Sequence, residues 1–283
     1  MRCRERRIFP VAFSFLKLSG ETMSRPVALI TGASAGLGAE FARALAARGA
    51  DLILTARREG RLVTLAQQLQ AEHGTHIEVL TADLATDEGL ALVKARIATT
   101  PNLHWLVNNA GFGMKGYFHR VALDDLDRMY RLHVLAPLHL THAALNGMVA
   151  RDAGAIVNVA SVVSFLMSAG SVGYAASKSW LHIFSEGIYI ELRSARSKVR
   201  IQSLCPGYTV TEFHDVLGME RALVPKFLWL DADFVVGESL RALERNDFLV
   251  IPSWKYRLVV AVMRSLPRAL RFAVAERVGR RMR

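Results

Sequence analysis

Two cysteines in 283 residues, Cys3 and Cys205, leave no material for a disulfide framework. A reducing compartment is the default for such a chain, and a cytoplasmic location is expected. Zinc-type Cys/His spacing is absent as well. His139 and His142 stand three apart on an expected helix, with neither a cysteine nor an i+4 histidine beside them, so no metal is expected. No apolar run approaches the ~20 residues of a membrane-spanning helix, and LVVAVM at 258–263 is one of the longest candidates. There is no low-complexity linker and no internal repeat. With 52% hydrophobic and 22% charged residues, a disordered chain is excluded, and the length suits one large domain or two small ones.

The net charge of +11 is unevenly placed. Residues 1–22 hold five basic and two acidic residues, and residues 254–283 hold nine basic and one acidic. The middle, 23–253, has 22 of each and is neutral. Basicity confined to the ends argues against a nucleic-acid groove built into the fold. Residues 1–22 resemble a signal peptide in their basic start and short apolar run, but no small-residue cleavage pattern follows. They read as an extension outside the fold, with Met23 as the natural beginning.

From Val27 the chain alternates between apolar, strand-like runs and helical patterns. The strand candidates are VALITG (27–32), DLILTA (51–56), IEVLTADL (77–84), LHWLVNNAG (103–111), AIVNVAS (155–161), VRIQSLCPG (199–207) and FLVIPS (248–253). Helical patterns separate them, including one long stretch over 123–148 and another from Tyr174 to about Arg196. Strands that are apolar throughout belong to a parallel sheet covered on both faces. The class is α/β, doubly wound, with seven mainly parallel strands in a single domain plus terminal extensions. Its ligand site lies at the carboxyl ends of the strands.

The first strand runs into TGASAGLG, which sets Gly32, Gly36 and Gly38 between a strand and a helix. A turn this sharp uses glycine's backbone freedom and brings a phosphate to a helix N-terminus. Asp83, the stretch NNAG at 108–111, Ser161, YAASK at 174–178 and Pro206–Gly207 follow in order. Ser161 precedes Tyr174 by thirteen residues. This set resembles the short-chain dehydrogenase/reductase family over roughly residues 26–253, and that family has a Rossmann fold. The resemblance implies a nicotinamide cofactor held by Gly32, Ser34, Gly36, Leu37 and Gly38, with Asp83 and Leu84 at the adenine. It also implies that Asn109, Ala110 and Gly111 line the cofactor, and that Pro206, Gly207, Thr209 and Thr211 face the nicotinamide end. A homo-oligomer is implied too.

The second strand ends in TARRE, with Ala56 where an acid would select NAD. Arg57 and Arg58 follow, and a guanidinium pairs with the extra phosphate of NADP(H), so NADP(H) is expected, with Arg57 as the main contact. Tyr174 and Lys178 are one helical turn apart on one face. A lysine cation favours phenolate, which suits Tyr174 to act as general acid or base on a carbonyl or alcohol. Ser161 would hold the substrate oxygen by a hydrogen bond, and the resemblance has Lys178 bond the nicotinamide ribose. In RLHVLAPL (131–138), His133 takes the place of the family's asparagine. The main-chain carbonyl there survives any side chain. The imidazole either adds a titrating group or marks a weaker catalyst.

Between the sixth strand and the next helix, residues 212–230 carry Phe213, Val216, Leu217, Met219, Leu223, Val224, Phe227, Leu228 and Trp229. They form either a lid for an apolar carbonyl compound or plain core. In 254–283, Leu270, Val274 and Val278 recur every four residues beside Arg264, Arg268 and Arg271. A basic amphipathic helix of this kind lies on an anionic membrane surface, covers a subunit or packs on its own domain. The leading functional reading is a carbonyl reductase that also runs as an alcohol dehydrogenase. The alternative is a non-catalytic NADP(H)-binding sensor or scaffold on the same fold.

Overall fold

A computed structural model of the chain describes residues 25–213 and 224–281. The 1–22 extension, Met23 and, within the suggested lid, Val216, Leu217, Met219 and Leu223 lie outside the described residues. The strands are β1 Val27–Thr31, β2 Asp51–Ala56, β3 Ile77–Thr81, β4 Leu103–Asn108, β5 Ala155–Val159, β6 Arg200–Leu204 and β7 Leu249–Val250. All seven pair in parallel, in the order β3-β2-β1-β4-β5-β6-β7. The helices are α1 Gly36–Ala46, α2 Glu59–His73, α3 Asp87–Ala98, α4 Leu123–Tyr130, α5 Ala136–Ala150, α6 Val172–Ser194, α7 Ala232–Glu244, α8 Trp254–Ser265 and α9 Arg268–Arg281.

The apolar strand runs have a direct cause. Successive side chains point to opposite faces, and both faces are covered. Ala28 and Ile30 of β1 join the cluster with Phe41 and Leu45 of α1 and Leu62 of α2. Leu29 between them joins Leu140 and Met148 of α5 and Val93 of α3 on the other side. Each fully buried leucine or phenylalanine contributes about 1.5–3 kcal/mol. The edge strand β3 departs from this pattern. None of its residues is buried, and it carries Glu78, paired with Arg96 at 2.8 Å. β7 is shorter than FLVIPS suggests, because Pro252 has no N–H to extend the ladder.

The stretch expected as one helix over 123–148 is interrupted. A π-helical turn, Arg131–Leu135, joins α4 to α5. Pro137 stands four residues after His133 and lacks the amide that an α-helix would set against the His133 carbonyl. The wider turn brings the His133 ring inside, where it is 1% exposed.

Past residue 253 the chain stays joined to the sheet for three turns. Tyr256 and Val260 of α8 are buried with Ala160, Cys205 and Ile251. The Tyr256 hydroxyl accepts from the Tyr208 N–H at 3.0 Å and donates to the Leu228 carbonyl at 2.7 Å. The described residues of α9 are almost all exposed.

Candidate active site

Six of the seven strands deliver a motif residue at the carboxyl edge of the sheet, where the order reverses between β1 and β4. Gly32 (φ +67°) and Gly36 (φ +56°) hold the left-handed turn that leads into α1. A Cβ at Gly32 would meet Asn109 Nδ2 at 2.8 Å, and one at Gly38 would meet the Gly32 carbonyl oxygen at 2.3 Å. Gly36 faces Thr211, whose Cβ would lie 3.1 Å from an added Cβ. No side chain caps α1, so the amides of its first turn present a ready anion site. This cradle of small residues and uncapped amides fits the diphosphate of a dinucleotide. Leu37 packs its side chain on the core beside the turn.

Thr31 knits β1 to the next motif. Its hydroxyl donates to the Val107 carbonyl and accepts from the Asn109 and Ala110 N–H groups at 2.9 and 3.0 Å. Asn109 turns its side-chain amide back to the Thr31 carbonyl at 2.9 Å. Beyond β2, Arg57 is exposed and has no ion-pair partner among the described residues. Arg58 reaches the glycine turn and donates to Ser34 Oγ at 3.0 and 3.2 Å. Arg58 and Arg61 also pair with Glu212. The Asp83 carboxylate accepts from the Ala85 N–H at 3.1 Å and pairs with Arg128 of α4. Leu84 is buried in the core.

At the ends of β5 and β6, Ser161, Tyr174 and Lys178 converge. Ser161 is 9% exposed; its hydroxyl accepts from the Val163 N–H at 3.3 Å and lies 3.5 Å from the Pro206 carbonyl. Burial pushes the Tyr174 phenol up to about 12, and its hydrogen bond with Ser161 opposes that rise. Burial lowers Lys178 to about 8. The ammonium donates to the Val159 carbonyl at 2.8 Å and stands 6.0 Å from the Tyr174 ring centroid. The balance at the phenol therefore differs from the expected one: desolvation outweighs the Ser161 hydrogen bond and keeps Tyr174 protonated. Thr209 is buried and donates to the Gly207 carbonyl at 3.1 Å.

His133 lies among these groups without facing solvent. Its Nε2 accepts from the Phe112 N–H at 3.1 Å. That fixes the proton on Nδ1, which donates to Ser177 Oγ at 3.0 Å. Ser177 in turn donates to the Tyr174 carbonyl at 2.8 Å. Burial, and then the charge of Lys178, hold His133 well below the usual histidine range. It is a neutral brace between the β4 loop and the first turn of α6, not a second titrating group. Gly111 makes room for it, since a Cβ there would lie 2.8 Å from Nε2.

The comparisons with known proteins fit this geometry. The short chain dehydrogenase family model matches residues 26–221. The chain belongs to that family. An uncharacterised oxidoreductase of Staphylococcus saprophyticus is 31% identical over 186 residues, 65% of this chain and 79% of its own. A short-chain dehydrogenase from Sphingobium yanoikuyae, solved with NADPH, is 32% identical with a TM-score of 0.77, covering 86% of this chain and 97% of its own. A bulky-bulky ketone specific alcohol dehydrogenase from Comamonas testosteroni is 30% identical, TM-score 0.73, over 86% and 96%. A family member from Burkholderia phymatum, solved with NAD, is 26% identical, TM-score 0.75, over 85% and 93%. The family is one of oxidoreductases using nicotinamide cofactors, and these neighbours include both forms.

Sequence reading alone passes over Ser177, Tyr256 and the Arg58–Ser34 bond. Ser177 carries a signal, because it lies three residues after Tyr174, within hydrogen-bond reach of its carbonyl on a helix. Tyr256 carries none. Of the described part of the suggested lid, Val224 is buried, Leu228 packs on the cluster around Tyr256, and Trp229 Nε1 donates to the Val224 carbonyl at 3.3 Å. Phe213 stands 5.9 Å from the Tyr174 ring, and Phe227 is exposed.

Proposed function

We propose that this short-chain dehydrogenase is an NADP(H)-dependent reductase of apolar ketones or aldehydes, with Tyr174 as the general acid. The observation that carries the reading is the convergence of Ser161, Tyr174 and Lys178 beside an uncapped glycine turn. A bound nicotinamide dinucleotide supplies the hydride. The chain's own groups do the rest. Ser161 orients the substrate oxygen by donating its hydroxyl. Tyr174, held protonated by burial, gives its phenolic proton to that oxygen as negative charge develops there. The Lys178 cation, fixed on the Val159 carbonyl, stabilises the phenolate left behind. His133 acts as a positioning residue through Ser177 and the Tyr174 carbonyl. The ring of Phe213 beside Tyr174, with Phe112 against His133, suits an apolar carbonyl. The ketone alcohol dehydrogenase named above supports the same class of substrate.

The test is carbonyl-dependent oxidation of NADPH by the purified chain over a panel of apolar ketones and aldehydes, with NADH in parallel. Turnover confined to NADPH supports the reading. Tight NADPH binding with no turnover on any carbonyl moves the protein to the sensor reading. Arg57 and Arg58 are the proposed cofactor selectors, with Arg58 pre-placed by Ser34. One charge-assisted hydrogen bond contributes about 1.5–3 kcal/mol, so Arg58→Ala is expected to lower the NADPH-over-NADH preference by about 10–100-fold. An unchanged preference in both Arg57→Ala and Arg58→Ala would remove the arginines from this role.

Lys178 is protonated below about 8 and loses its cation as pH rises through that value. Reduction is expected to be full on the acid side and to fall through about pH 8. No limb is expected near the usual histidine range, because His133 stays neutral throughout. A profile of kcat/KM that rises through pH 8 contradicts the Lys178 assignment, and a break near 6.5 contradicts a neutral His133.

A further inference from the structure

Helix α8 carries large apolar side chains on two opposite faces. Tyr256 and Val260 face inward and are 5% exposed each. Trp254, Leu258 and Val262 recur at i, i+4 and i+8, which makes one outward ridge, and they are 63%, 54% and 50% exposed. Single exposed apolar side chains are ordinary, but a continuous ridge of large ones marks a contact surface. Phe227, also exposed, adjoins it: Lys255 Nζ donates to the Phe227 carbonyl at 3.0 Å and stands 5.3 Å from its ring centroid. Helix α9 adds exposed Leu270, Phe272 and Val274.

Charge identifies what the ridge meets. Residues 254–283 hold nine basic residues and one acidic residue, Glu276. α8 has no carboxylate, and Lys255, Arg257 and Arg264 lie along its flanks. Arg268, Arg271 and Arg277 continue the series on α9. A second copy applied by two-fold symmetry would set this cationic face against itself. An apolar ridge rimmed by cations matches a surface that is anionic at its top and apolar just beneath. We propose that α8, with α9 and Phe227, docks the protein on an anionic lipid bilayer, with Trp254, Leu258 and Val262 seated at the headgroup–acyl boundary. This moves the contact from the stripe expected at Leu270, Val274 and Val278. On α9, Phe272 falls on a different face from Leu270 and Val274, so its described side chains form no single apolar side; the Val278 side chain lies outside those described. The inference does not depend on the reaction, because docking is read without turnover.

The experiment is flotation of the full chain with vesicles of phosphatidylcholine alone and of equimolar phosphatidylcholine and phosphatidylglycerol. Binding is expected only to the anionic vesicles and should weaken about tenfold or more from low to high salt. The triple variant Trp254→Ser, Leu258→Ser, Val262→Ser is expected to lose about tenfold or more in binding. Its melting midpoint should stay that of the parent, since all three positions are exposed. Quenching by brominated lipids should fall in Trp254→Phe. Arg257→Gln with Arg271→Gln gives a second route, which should reduce binding without touching the ridge. The idea is overturned if the full chain does not float, if the triple variant floats like the parent, or if the triple variant instead dissociates a dimer in solution.

Discussion

Tyr174→Phe is expected to lower carbonyl reduction by about 10²–10⁴-fold, the usual worth of a positioned general acid. The change deletes one hydroxyl and keeps the ring. The ring's contacts with His133 and Phe213, at 5.8 and 5.9 Å between centroids, remain. Ser161 keeps the Val163 N–H as a partner, so no buried group is orphaned. The Ser177 bond to the main-chain carbonyl of residue 174 does not involve the phenol at all. NADPH affinity by fluorescence titration and the melting midpoint are therefore expected to match the parent. A fall in turnover with both of these intact is the signature of a lost proton donor. Undiminished turnover would show that the proton comes from elsewhere, and a simultaneous loss of NADPH binding would point to a structural role.

The second large effect lies at Gly207. A Cβ there would sit 2.0 Å from Cζ of Tyr256 and 2.2–2.4 Å from two further ring carbons. That ring is no flexible side-chain end. It is buried, and its hydroxyl bridges the Tyr208 N–H and the Leu228 carbonyl. Gly207→Ala must push the ring aside and break both bonds, which is expected to cost about 3 kcal/mol. Tyr256→Ala alone is expected to cost about 3–5 kcal/mol through the cavity it leaves. Once Tyr256 is gone, the Gly207 substitution has nothing to strike. The double variant should thus fall short of the sum by about 1–3 kcal/mol, measured by denaturant unfolding of all four proteins. Additivity within about 0.5 kcal/mol would mean that α8 does not rest on the glycine.

Much of this protein is legible in its sequence because its signals are local. The doubly wound sheet follows from largely apolar runs separated by helical periodicity, and the parallel order buries the inner strands on both faces. The glycine turn, Asp83, Ser161, Tyr174 and Lys178 are visible because each is tied to a strand end or to one turn of a helix. Other features depend on segments remote in sequence. Pro137 interrupts the helical stretch over 123–148 locally, but the imidazole of His133 is buried and neutral because Phe112 from the β4 loop and Ser177 of α6 close around it. The state of Tyr174 is likewise set by its surroundings, since burial outweighs the hydrogen bond from Ser161. Arg58 rather than Arg57 meets the glycine turn because of where α2 begins relative to Ser34. The basic stretch 254–283 reads as a uniform tail. In space it divides into a helix that closes over Gly207 while keeping an apolar ridge outside, and a second helix whose described side chains lie almost wholly in solvent. The sequence by itself determined the fold class and the family and marked the groups proposed to react, because those signals rest on spacings within one turn or one strand. Only the tertiary structure decided their protonation, their bracing and the face that α8 leaves bare, because desolvation and contact arise between segments far apart along the chain.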